Sequence, residues 1–79
     1  MSNADFDAYL MARWATLGHR FAGADLKSRV TPGSRRLWTA KLITHKNSNA
    51  EYRIECAGDT WQEAVKGVVV RVDEIEAKP

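Results

Sequence analysis

The sequence predicts an α+β fold, with two helices packed on one face of a small two- or three-stranded antiparallel sheet. Three observations carry that expectation. Apolar residues recur at helical spacing near the start, at Phe6, Leu10, Trp14, Leu17 and Phe21. They alternate with polar residues in two short runs, Trp38-Ala40-Leu42 and Tyr52-Ile54-Cys56. They return to helical spacing after Gly58-Asp59-Thr60, through Trp61, Ala64, Val65, Val68, Val69, Val72 and Ile75. A chain of 79 residues is one small domain, 1–79, near the lower size at which a single core sustains a fold.

The first helix is expected over about Ala4 to Leu17. Asn3 or Asp5 caps its start, Asp7 suits the positive end of the dipole, and Gly18 is placed to stop it. Residues 22–36 form a basic loop in which Thr31-Pro32-Gly33-Ser34 makes a turn; Leu26–Val30 is either a short strand or a connector. Two firm strands follow, joined by a hairpin loop at Lys46-Asn47-Ser48-Asn49-Ala50. Pairing Leu42 with Ile54 sets Ala40 opposite Cys56, Lys41 opposite Glu55 and His45 opposite Glu51, so one face is apolar and the other carries opposed charges. Thr60 and Glu63 form a capping box, with Glu63 reaching back to the Thr60 N–H. Beyond it, a helix to about Ala77 explains more positions than a short helix followed by a strand at Val68-Val69-Val70; only Val70 departs from the apolar stripe.

The formal net charge of +2 hides an uneven distribution. Residues 20–46 hold seven cations against Asp25, while residues 47–79 hold four against seven acids. A basic middle between acidic flanks attracts an acidic partner, or serves solubility alone. No apolar run approaches the roughly 20 residues of a membrane span, and no basic-then-apolar leader opens the chain, so neither a membrane segment nor a signal peptide is expected. The single cysteine, Cys56, permits no internal disulfide and fits a reducing, cytoplasmic setting.

Catalytic and metal-binding patterns are missing from the sequence. His19 and His45 have no ligand-spaced neighbours, Cys56 falls on the inward face of its strand, and no glycine-rich phosphate loop occurs. The glycines read as punctuation. We therefore expect no catalytic residue, no metal site and no cofactor. Trp14, Trp38 and Trp61 fall on apolar faces; Trp61, opening a helix, is the one expected to be partly exposed and available as an anchor.

Two resemblances bear on function. The order helix, strands, helix is similar to the double-stranded RNA-binding domain if Leu26–Val30 is a strand. That family places lysines at the start of its second helix to straddle RNA phosphates, and its first helix presents polar groups to the minor groove. Here the corresponding positions read Thr60-Trp61-Gln62-Glu63-Ala64, with no lysine before Lys66, and the first helix has no clear match. Residues 37–70, with Leu37-Trp38-Thr39-Ala40 and the T-x-x-E-A helix start at Thr60–Ala64, resemble small phage and prophage accessory proteins of α-β-β-α sandwich type. That resemblance implies a non-enzymatic protein that binds and blocks host machinery, including CRISPR effector complexes. The expected contact residues are Lys27, Arg29, Arg35, Arg36, Lys41, Ile43, Lys46, Arg53 and Trp61, and a homodimer is compatible with free strand edges. The alternative is nucleic-acid binding through the basic 20–46 segment, which a steep salt dependence would reveal.

Overall fold

The computed structural model describes residues 3–45 and 52–77. Helix α1 spans Asn3–Arg20, strand β1 Gly23–Val30, strand β2 Arg36–Ile43, strand β3 Glu55–Gly58 and helix α2 Trp61–Glu76. The strands form one antiparallel sheet in the order β1-β2-β3. Both helices lie on one face of it, the predicted α+β arrangement.

Each helix forms because its apolar stripe meets that sheet face. Leu10, Trp14 and Leu17 of α1 and Ala64, Val65, Val68, Val69, Val72 and Ile75 of α2 join Ala40, Leu42 and Ile54 in one buried cluster. Helix α1 runs through Gly18 to Arg20, past its expected end. Gly18 faces β1, where a Cβ would stand at an ordinary contact distance, 3.9 Å, from that of Ala24. In α2, Val68-Val69-Val70 stays helical, because tertiary burial of Val68 and Val69 outweighs their strand propensity. Thr60 Oγ1 accepts from the Glu63 N–H at 3.2 Å, as expected. The Glu63 carboxylate, however, accepts from the Asp59 N–H at 2.9 Å and not from Thr60. A side chain on Gly58 would stand 2.6 Å from Glu63 Cβ, so this glycine makes room for the cap.

Residues 22–36 are not a basic loop. They form β1 and a tight turn into β2, in full register from Gly23–Ile43 to Val30–Arg36. The turn falls on Thr31-Pro32-Gly33-Ser34 as predicted: Ser34 N–H donates to Thr31 O at 2.9 Å and Thr31 N–H to Arg35 O at 2.7 Å. Strand β3 begins later than expected. Its register, Ala40–Cys56 and Lys41–Glu55, is the predicted one, but the regular strand starts at Glu55. Ile54 precedes it, buried, and still accepts from the Leu42 N–H at 3.0 Å. The expected loop at 46–50 and the His45–Glu51 pairing lie outside the described residues.

Helices α1 and α2 run parallel. Asp7 accepts from Gln62, Arg13 grips Asp73 with two hydrogen bonds of 2.6 and 3.3 Å, and Arg20 pairs with Glu76. The Lys66 ammonium lies over the Phe6 ring, 5.9 Å from its centroid. Gly67 brings α2 down onto β3: a Cβ there would stand 2.9 Å from Cys56 Cβ, so this glycine is a packing requirement and not punctuation.

Candidate functional site

Period-two alternation sends the even residues of β1 and β2 toward the helices and the odd residues to the opposite face. Among the described residues nothing covers that second face. The strand register arranges it in rows. Asp25, Lys41 and Glu55 form one row across three strands, Lys27, Thr39 and Ala57 the next, and Arg29 and Leu37 the last. Ile43 stands at the other end beside Gly23, 43% exposed. Arg53 joins it, lining with Asp25, Lys41, Ile43, Thr44 and Glu55 a depression of about 570 Å³.

Five of the nine predicted contact residues therefore share one surface: Lys27, Arg29, Lys41, Ile43 and Arg53. Arg35 follows the hairpin turn and Arg36 opens β2 at the end of the sheet, where Arg35 pairs with Asp59 and Arg36 donates to Ser28 Oγ at 2.9 Å. Trp61 is not part of this surface. It lies on the helix side, half-buried against the core cluster. Lys46 lies outside the described residues. The Glu55 carboxylate takes its expected place on this face opposite Lys41, whereas that of Asp25 was missed. Asp25 enters only once β1 is known to be a strand in register with β2.

The charges on this face are largely uncommitted. Lys27 pairs with Asp25 at 3.3 Å. Among the described residues Arg29, Lys41 and Arg53 make no ion pair, whereas the helix arginines Arg13, Arg20 and Arg71 all do. The Arg13 hydrogen bonds hold the Asp73 carboxylate below its ordinary range. Burial, and secondly the Glu55 charge, push the Cys56 thiol up, which keeps it protonated at neutral pH. Among the described residues no group of three or more His, Cys, Asp or Glu is placed to hold a metal ion, and no helix is long and apolar enough to cross a membrane. Compared with known protein families, curated proteins and solved structures, the chain matches none.

Proposed function

We propose that the protein is a non-enzymatic binding protein that docks another protein on the open face of its sheet. The observation that carries this reading is the composition of that face. Two uncommitted cations, Lys41 and Arg53, alternate with the carboxylates of Asp25 and Glu55 beside exposed Ile43, and a third, Arg29, stands at the far end of the same face. A mixed-sign surface with an apolar patch complements a protein, whose own surface mixes charge and apolar area. A polyanion is matched instead by cations alone. Association is steered by the excess positive charge, and the effect on the partner is occlusion of whatever surface is covered. The resemblance of residues 37–70 to phage accessory proteins makes host defence complexes of CRISPR type the first partners to screen.

Nucleic-acid binding is the second reading. The element order helix, three strands, helix favours it. The start of α2 opposes it: Asp59 and Glu63 surround the cap, and Lys66 is engaged over Phe6.

A photo-crosslinking residue placed at Ile43, with another at exposed Val70 on the outer side of α2 as control, separates the readings. Crosslinks to protein from position 43 alone, lost in a variant carrying Arg29→Ser and Arg53→Ser, are expected. Gel shifts with duplex RNA, duplex DNA and single strands that show micromolar binding collapsing with salt would instead establish the second reading.

A further inference from the structure

We propose that two copies of this chain pair through the outer edges of β1 to form a continuous six-stranded antiparallel sheet. The pairing is independent of the partner docking described above. It rests on the hydrogen-bonding parity and charge order of β1, together with an exposed side chain beside it.

The parity follows from the turn. Thr31 N–H bonds to Arg35 O, so in the β1–β2 ladder the odd residues of β1 direct their backbone groups toward β2. The Leu42–Ile54 bond shows the complementary half of the pattern, even residues of β2 serving the β3 side. The even residues of β1, Ala24, Leu26, Ser28 and Val30, therefore direct their N–H and C=O groups outward. Among the described residues no strand takes them up, since β1 ends the sheet. Its second half is exposed on both faces, with Val30 at 61%. An eight-residue edge with every second amide unpaired is a template for another strand.

The charge order selects the occupant and the register. An antiparallel copy must set even residues opposite even residues. Centring the two-fold axis on Asp25 sets Asp25 against itself, and centring it on Lys27 sets Lys27 against itself. Centring it on Leu26 sets each Asp25 opposite the other copy's Lys27, with Ala24 opposite Ser28 and Leu26 opposite Leu26 on the helix side. Of these three registers only the last has no facing like charges. The stretch Ala24-Asp25-Leu26-Lys27-Ser28 is thus complementary to itself.

The flank of α1 above this edge supports the same contact. Gly18 faces Ala24 of β1, and Met11 and Ala15 lie on the same stripe of α1, seven and three residues earlier. Arg13 and Arg20, on the other flank, are tied to α2. Met11 is 51% exposed, and joining the two sheets brings it against the other copy's α1.

Sedimentation equilibrium of the full chain over a concentration series tests the proposal. The expected limit is twice the 8.9 kDa protomer mass. Ser28→Pro removes one outward N–H from an exposed edge position, where proline is tolerated in a monomer, and should yield a folded monomer by circular dichroism. Asp25→Lys and Lys27→Asp should each weaken self-association about tenfold or more, by facing like charges twice. Mixed in equal amounts, these two variants should recover a heterodimer, because every facing pair is again opposite in sign. A wild-type chain that stays at the protomer mass throughout overturns the proposal. So does a dimer indifferent to Ser28→Pro, or a pair of folded charge variants that fail to associate on mixing.

Discussion

Ser34 has a φ of 64°, in the left-handed region that costs a residue with a Cβ about 1 kcal/mol. It closes the β1–β2 turn at the position where glycine is favoured. Ser34→Gly should therefore stabilise the protein by up to ~1 kcal/mol, part of the gain being lost to the greater freedom of the unfolded chain; chemical denaturation measures it. Gly67 poses the opposite case. Alanine is better than glycine in a helix by about 1 kcal/mol, but a Cβ at Gly67 would stand 2.9 Å from Cys56 Cβ and 3.0 Å from its Sγ. The Cys56 Cβ is fixed to the backbone and cannot swing away as the Sγ can, so overpacking of about 1–3 kcal/mol decides the sign. Gly67→Ala should lower the melting temperature, while Gly33→Ala, where a Cβ meets nothing within 4 Å, should not. Cys56 itself, its thiol pushed up by burial, should be alkylated more slowly in the folded protein than in denaturant at the same mildly alkaline pH.

Among the elements, α1 and α2 are joined by burial first and by ion pairs second. The Arg13–Asp73 pair illustrates the limit of the second term. The carboxylate is half-exposed, so the pair contributes no more than ~1 kcal/mol after solvent screening. Its sign is set by the depressed pKa of Asp73: the stabilisation is present above the ordinary carboxylate range and is lost as pH falls through the folded-state value. The stability difference between wild type and Asp73→Asn should accordingly be largest near neutral pH and vanish in acid, as urea titrations across pH would show. The helices were legible because their stripes obey a 3.6-residue period over many positions, and β2 because Trp38, Ala40 and Leu42 alternate cleanly. Strand β1 was only half legible for a physical reason. Its helix-facing residues Ser28 and Val30 project beyond the helices and are exposed, so nothing selects for apolar alternation there. In β3 the visible alternation of Tyr52, Ile54 and Cys56 marks burial, whereas the regular ladder is fixed by the partners Trp38 and Thr39 and extends to Ala57 and Gly58. The open face inherits both difficulties. Lys41, Ile43 and Arg53 could be grouped from parity, but Lys27, Arg29 and Asp25 required the β1 register. Trp61, apolar at a helix start, gave no signal to distinguish an anchor from a core edge.

At the scale of the molecule, one face of the sheet is packed under the helices, and the other, open among the described residues, is the face proposed for contact. The buried cluster draws on α1, β2, α2 and the residue preceding β3, and its five largest fully buried side chains, Leu10, Leu17, Val65, Val68 and Val72, all come from the two helices. A domain with one such cluster should unfold in a single transition. Trp14, Trp38 and Trp61 sit on α1, β2 and α2, so fluorescence and far-ultraviolet circular dichroism should give coincident curves. Val68→Ala should shift both together, at a cost of about 1–3 kcal/mol. Substitutions on the open face should separate stability from binding. Arg29→Ser and Ile43→Ser remove exposed groups and leave stability within about 0.5 kcal/mol, yet they should weaken partner association, the first through a slower on-rate and the second through a faster off-rate. Lys41 needs a different replacement. Glutamate there would align three carboxylates with Asp25 and Glu55 across the sheet and destabilise the fold as well as the contact. Lys41→Gln removes the cation without creating that row, so lost partner binding with unchanged melting assigns the residue to the interface. A Lys41→Gln protein that binds as before would remove this face from the proposed function.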